Sequence, residues 1–157
     1  MTRPGVGDKA PLFKLPNQDG VMTDLADSLG QLVVIYFYPK ALTSGCTVQA
    51  CDLRDSWKVL QKQGIRVYGI SPDQPKLLKN FQEVEQLPFD LLSDNDHKVA
   101  ELYGTWQEKS MYGRKYMGMA RDSFLIGRDG TVISVLQKVK PAEHVGQIIE
   151  AFSLYGG

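Results

Sequence analysis

The sequence is poor in cysteine and histidine, and it has neither a long apolar run nor an excess of one charge. Two cysteines in 157 residues are too few for a disulfide scaffold. The longest strongly apolar run, residues 32–38, is far too short to span a bilayer. Lys plus Arg number 18 and Asp plus Glu number 18, so no net charge attracts nucleic acid or an anionic membrane.

The first residues also carry no apolar segment of the kind found in signal peptides. We therefore expect a cytoplasmic protein with neither a nucleic acid nor a membrane as partner. In the reducing cytosol, a pair of cysteines is more often reactive than structural. The two thiols are accordingly the first candidates for chemistry.

Strand and helix patterns alternate along the chain, which predicts a single α/β domain over residues 1–157. The first half is predicted as a hairpin, a buried central strand, a helix, a strand and a helix, at residues 11–24, 32–38, 43–63, 65–71 and 75–87. The second half is predicted as a short helix capped by Asp94, a loop, a hairpin and a helix, at residues 96–103, 104–120, 122–137 and 141–154. This order indicates a mixed central sheet flanked by helices.

Both cysteines lie in the segment "PKALTSGCTVQAC", residues 39–51, directly after the buried strand. Cys46 falls in the first turn of the predicted helix, where free backbone N–H groups and the positive end of the helix dipole favour an anion. Lowering a thiol pKa from about 8.5 to about 6 requires about 3.4 kcal/mol. The helix dipole supplies only about 0.3–2 kcal/mol. We therefore expect a nearby cation, most simply a guanidinium, to supply the rest.

Helical phase separates the two thiols. Cys46 lies seven residues before Leu53, on the apolar stripe, whereas Cys51 is in register with Asp55 and Lys58 on the polar, exposed face. On a regular helix the two Cα atoms are about 8.7 Å apart. A disulfide needs roughly 4.4–6.8 Å. Any bond between Cys46 and Cys51 therefore requires the start of the helix to unwind.

Other interpretations of the cysteines remain open on the residues alone. Free cysteines are often inert and buried. A zinc site needs about four ligands, and neither His97 nor His144 has ligand spacing to the cysteines, so we expect no metal and no cofactor. We expect His97 to be solvated and His144 to lie on a helix surface. The spacing is not Cys-x-x-Cys, which weakens the case for a dithiol oxidoreductase.

The segment "YPKALTSGCTVQAC" resembles the active-site segment of peroxiredoxins, specifically the Q-type or bacterioferritin comigratory subfamily. The shared pattern is Pro39, then Thr43, then Cys46, with Arg121 later before "DSFLI". "GISPD", "LLSDNDHKVAELYGTW" and "RDSFLIGRDG" are similar to stretches of the same subfamily. The resemblance implies a thioredoxin-like fold with an N-terminal β-hairpin and an insertion, and a redox-active thiol peroxidase that reduces hydrogen peroxide and organic hydroperoxides.

The resemblance also implies a role for each matching residue. Cys46 would be the nucleophile, Thr43 would place a hydroxyl near the peroxide, Pro39 would shield the pocket from water, and Arg121 would hold the thiolate. Cys51 matches the resolving cysteine of part of the subfamily, which forms a disulfide with the nucleophile after local unwinding. A thioredoxin-like reductant would then complete the cycle, and we expect the chain to act as a monomer.

The chain departs from the subfamily pattern at Ser44, where proline is usual before the Gly-Cys pair. The substitution leaves the motif spacing intact. Two other functions stay open at this point: a thioredoxin-like disulfide oxidoreductase, and a non-catalytic module that senses peroxide.

Overall fold

The computed structural model describes residues 3–155 and consists of nine strands and five α-helices within that range. The strands are β1 (Lys14–Pro16), β2 (Met22–Asp24), β3 (Leu32–Phe37), β4 (Ile65–Ser71), β5 (Asp90–Ser93), β6 (Trp106–Met111), β7 (Arg114–Met119), β8 (Ser123–Ile126) and β9 (Val132–Leu136). The helices are α1 (Ser44–Asp55), α2 (Trp57–Lys62), α3 (Pro75–Glu85), α4 (Lys98–Leu102) and α5 (His144–Tyr155). No helix in this part of the chain has the length and apolar character needed to cross a membrane.

The centre of the molecule is a five-stranded sheet in the order β5-β4-β3-β8-β9. Strands β3, β4 and β5 run parallel, while β8 is antiparallel to both β3 and β9. Every residue of β3 is buried, as its continuous apolar sequence predicts for a strand covered on both faces. The predicted α/β architecture with a mixed central sheet is confirmed.

Alternate residues of β3 supply two separate cores, because successive side chains of a strand point to opposite faces. Val34 and Tyr36 pack with residues of α1, α2, α3 and α5 on one face. Val33 and Ile35 pack with residues of α4 and the N-terminal segment on the other. The two cysteines lie on the face that carries α1.

The helix predicted over residues 43–63 is two helices, so that prediction is wrong in one respect. Ser56 interrupts it with φ −100° and ψ 10°, between α1 and α2. Serine competes for backbone hydrogen bonds and is a weak helix former. The apolar stripe of Leu53, Trp57 and Leu60 stays in phase across the interruption, and for that reason periodicity did not reveal it.

The segment predicted as a loop over residues 104–120 is an antiparallel hairpin of β6 and β7. Its two-residue turn has φ 52° at Tyr112 and 78° at Gly113, the positive values that such hairpin turns require. Most of the hairpin is solvent-exposed. Because neither face packs fully on a core, the sequence lacks the alternation that marks a half-buried strand.

The remaining predicted elements are confirmed with small shifts in their ends. The hairpin at residues 11–24 pairs β1 with β2. The short helix begins at Lys98 rather than 96, because His97 has a left-handed φ of 52°. The N-cap residue is therefore His97 and not Asp94 as predicted, although the Asp94 carboxylate does accept hydrogen bonds from the backbone N–H groups of Val99 at 3.1 Å and Ala100 at 2.7 Å.

Candidate active site

Cys46 lies at the carboxyl end of the central strand β3. The chain leaves β3 through Pro39, takes a left-handed φ of 65° at Leu42 and enters α1 at Ser44. Cys46 is the third residue of this helix, and only 1% of it is exposed. This buried position in the first turn of the helix agrees with the prediction that Cys46 lies on the apolar face.

The guanidinium of Arg121 lies beside the Cys46 sulfur. Arg121 Nη1 is 3.4 Å from Cys46 Sγ and donates a 2.7 Å hydrogen bond to Gln49 Oε1. A Cβ atom at Gly45 would lie 3.2 Å from Arg121 Nη2, so glycine leaves the room that the guanidinium occupies. The cation expected from the energetics of thiolate stabilisation is therefore present, although 75 residues separate it from Cys46 in sequence.

Thr43 and Pro39 lie on the loop that precedes Cys46. Pro39 is half-buried and Thr43 is exposed. The Thr43 hydroxyl donates a 2.8 Å hydrogen bond to the carbonyl oxygen of Lys40. The structure thus brings Cys46 and Arg121 into contact, with Thr43 and Pro39 on the adjoining loop.

Cys51 is outside this pocket and faces α3. Its Sγ lies 3.6 Å from Glu85 Oε2, and Arg54 Nη1 donates a 2.7 Å hydrogen bond to the Glu85 carbonyl oxygen. Cys51 is half-buried, so the prediction of an exposed thiol is wrong; α3 covers that side of the helix. Burial raises the pKa of the Cys51 thiol, and the Glu85 carboxylate adds to this while the charge of Arg54 opposes it. Both cysteines are free in this structure.

His144 is the principal site-adjacent residue that sequence reasoning missed. It was predicted on a helix surface, yet it is fully buried. Gln49 Nε2 lies 3.1 Å from His144 Nδ1, and His144 Nε2 lies 2.7 Å from Ser123 Oγ. A row of contacts thus runs from Cys46 through Arg121 and Gln49 to His144 and Ser123.

The phase of α5 was the sequence signal that identifies His144 as buried. His144 precedes Ile148 by four residues and Phe152 by eight, and both of those residues are buried. Residues with this spacing lie on one face of a helix, so the pattern predicts that His144 faces the core together with Ile148 and Phe152. Within residues 3–155 no group of three or more His, Cys, Asp or Glu side chains is arranged to hold a metal.

Lys109, on β6, is a second cation close to the pocket that the sequence did not reveal. Its Nζ donates a hydrogen bond to the carbonyl oxygen of Met119, and the side chain is half-buried. Burial lowers the pKa of Lys109, and the positive charge of Arg121 lowers it further, while Cys46 acts in the opposite direction. The hairpin of β6 and β7 therefore contributes to the electrostatics of the site.

Burial of His144 predicts a loss of stability in mild acid. Burial lowers the pKa of His144 to about 3, and the charge of Arg121 acts in the same direction. In the unfolded chain the value is about 6.5, so the unfolded state binds the proton more tightly between these limits. The free energy of unfolding therefore keeps its full value above about pH 6.5. Because the unfolded chain takes up a proton below this pH and the folded protein does not, we expect the free energy of unfolding to fall by about 2 kcal/mol between pH 7 and pH 5.

Urea unfolding at these two pH values measures this effect. The His144→Leu variant should lose the histidine's share of the pH dependence, whereas a His97→Gln variant should keep it. An identical pH slope in the wild type and in the His144→Leu variant would contradict the prediction.

Comparison with known proteins shows which family this chain belongs to. The family model described as "AhpC/TSA family" matches residues 6–135, so the chain belongs to the AhpC/TSA family. The peroxiredoxin Bcp of Escherichia coli K12 is 53% identical over 138 residues, which are 88% of each chain. A putative peroxiredoxin bcp of Haemophilus influenzae is 52% identical over 145 residues, 92% of this chain and 94% of the relative.

Solved structures agree with the sequence relatives. A bacterioferritin comigratory protein from Xanthomonas campestris superposes with a TM-score of 0.87 at 32% identity, covering 92% of both chains. Peroxidoxin BcpB from Mycobacterium tuberculosis superposes with a TM-score of 0.86 at 30% identity, covering 97% of this chain and 98% of the other. Within its family the chain is thus a peroxiredoxin of the Bcp or Q type with a thioredoxin-like fold, and its activity is that of a thiol peroxidase.

Proposed function

We propose that Cys46 is the peroxidatic nucleophile and that the substrates are hydrogen peroxide and organic hydroperoxides. The observation that carries this proposal is the position of Arg121 Nη1, 3.4 Å from the Cys46 sulfur at the start of α1. The guanidinium is always charged, and together with the free N–H groups of the first turn it stabilises an anionic sulfur. The X. campestris relative is described with alkyl peroxide reduction activity, which supports the same substrate class here.

The chemical step follows from these neighbours. The Cys46 thiolate attacks one peroxide oxygen, the O–O bond breaks, and the departing oxygen takes a proton to leave as water or an alcohol. Cys46 becomes a sulfenic acid. Arg121 donates hydrogen bonds toward the oxygen on which negative charge develops. Thr43 would contribute its hydroxyl after exchanging its bond to Lys40, and Pro39 would restrict water at the mouth of the pocket.

Cys51 is the proposed resolving thiol. Its sulfur attacks the sulfenic sulfur of Cys46, the disulfide forms and water leaves. Cys46 is buried within the first turn of α1, whereas Cys51 faces Glu85 on α3. A disulfide between the two sulfurs therefore requires α1 to unwind. A thioredoxin-like reductant then restores both thiols by disulfide exchange. We also propose that the chain works as a cytoplasmic monomer.

The Cys51→Ser variant tests this sequence of steps. After one equivalent of peroxide, mass spectrometry of the wild type should show the loss of two hydrogens, as for an internal disulfide. The variant should instead gain one oxygen. Its first oxidation should keep the wild-type rate, while thioredoxin-coupled turnover falls by more than about tenfold because exchange needs the resolving thiol.

Cys51→Ala, which removes the polar atom as well, should behave in the same way. Undiminished coupled turnover in both variants would show that an external thiol resolves Cys46. An insulin disulfide-reduction assay separates the peroxidase from a disulfide oxidoreductase, which a nucleophile only 1% exposed disfavours.

A further inference from the structure

The row of buried polar groups behind Arg121 has only one consistent set of hydrogen bonds. A guanidinium donates and cannot accept, so the atom of Gln49 that faces Arg121 Nη1 at 2.7 Å must be the carbonyl oxygen. The amide nitrogen of Gln49 then faces His144 Nδ1 at 3.1 Å and donates to it. Gln49 is 0% exposed, so water cannot replace either partner.

The same reasoning fixes the state of His144. Its Nδ1 must accept, so the ring is neutral, with its proton on Nε2. Nε2 then donates to Ser123 Oγ, 2.7 Å away. The ring of Tyr36 packs edge-on against the imidazole, with centroids 5.4 Å apart and planes at 64°. Both the ring and its proton are therefore held in place by surroundings that exclude solvent.

We propose that His144 is a positioning residue for the peroxidase reaction: by accepting from the Gln49 amide, it keeps the Gln49 carbonyl oxygen turned toward Arg121. A reversed amide would point its NH₂ group at the guanidinium, two donors facing each other. Arg121 would then lose its 2.7 Å anchor and could leave the Cys46 sulfur. This inference rests on the proposed role of Cys46 and deepens it.

Two amide substitutions at position 144 separate positioning from simple packing. Asn carries its oxygen close to where Nδ1 lies, so His144→Asn keeps the acceptor for Gln49 and loses the bond to Ser123. His144→Gln reaches toward Ser123 and leaves the Gln49 amide without its acceptor. We expect His144→Asn to oxidise at nearly the wild-type rate, whereas His144→Gln reacts about ten- to a hundredfold more slowly, as expected for a misplaced group.

The readouts are the second-order rate of Cys46 oxidation by hydrogen peroxide and the pH profile of Cys46 alkylation. The profile should move to higher pH in His144→Gln and stay in place in His144→Asn. Equal rates and equal profiles in both variants would overturn the proposal. If instead the wild type itself does not oxidise at Cys46, the proposed function fails, and this outcome is distinct from any difference between the variants.

A measurement on the wild-type protein covers the case in which a variant does not fold. Nitrogen-15 NMR of histidine-labelled protein reports which ring nitrogen carries the proton, with His97 as the internal reference. We expect His144 to show a protonated Nε2 and a bare Nδ1 throughout the range from pH 5 to pH 8. A proton on Nδ1 would overturn the proposal, because the Gln49 amide could not then donate to it.

Discussion

We expect the Cys46→Ser variant to lose peroxide reduction by at least about a thousandfold, because a serine hydroxyl does not ionise to a comparable nucleophile. The substitution is nearly isosteric at a site that is 1% exposed, so the pocket and its contact with Arg121 should survive. Steady-state consumption of hydrogen peroxide measures the loss. Mass spectrometry after one equivalent of peroxide should show no added oxygen.

The Cys51→Ser variant is the matched control, because it removes the other thiol and leaves the Cys46 pocket intact. It should still consume the first equivalent at the wild-type rate. Retained turnover in Cys46→Ser would reject Cys46 as the nucleophile. Thermal unfolding of both variants shows whether any loss of activity comes from a loss of fold.

Arg121→Ala should slow oxidation of Cys46 by about a hundred- to a thousandfold, the usual effect of removing a donor that stabilises developing charge. The reason is geometric, since Nη1 is the group that contacts both Cys46 Sγ and Gln49 Oε1. The alkylation profile of Cys46 should also move to higher pH, because the anionic sulfur loses its cation. Stopped-flow fluorescence of the tryptophans and alkylation over a pH series measure the two effects.

Two further substitutions distinguish the effect of positive charge near Cys46 from the effect of hydrogen-bond geometry. Arg121→Lys keeps the charge but replaces the planar guanidinium with a compact ammonium on a differently shaped side chain, so we expect an intermediate rate. Lys109→Met removes the other nearby cation without touching the hydrogen bonds to Cys46 and should have a much smaller effect. A loss in Lys109→Met as large as that in Arg121→Ala would show that overall charge, and not the contact with sulfur, governs the reaction.

The parts of the fold that the sequence predicted are those with one dominant local cause. The apolar, β-branched run that became β3 favours a covered strand, and proline at the start of α3 favours the first position of a helix. Helical phase alone placed Cys46 in the core. In each case the pattern within about ten residues was sufficient.

The parts that were missed depend on contacts between distant segments. Cys51 is shielded because Glu85, 34 residues away, lies against it. The partners of His144 lie 95 residues away at Gln49 and 21 residues away at Ser123. The phase of α5 indicates that His144 is buried, but the sequence alone does not reveal these partners, which meet only in the assembled fold. The position of Arg121 was available from family resemblance but not from periodicity.

The interruption at Ser56 bears on the speed of the proposed catalytic cycle. Because α2 has its own start and Trp57 packs against Phe89 with ring centroids 5.7 Å apart, unwinding can stop at the end of α1. In the proposed cycle, only the twelve residues of α1 would then reorder between the reduced and oxidised forms. Helix formation over such a length takes about a microsecond or less, whereas a typical enzyme turns over about ten times per second. Formation of the α1 helix itself should therefore not limit turnover in the proposed cycle.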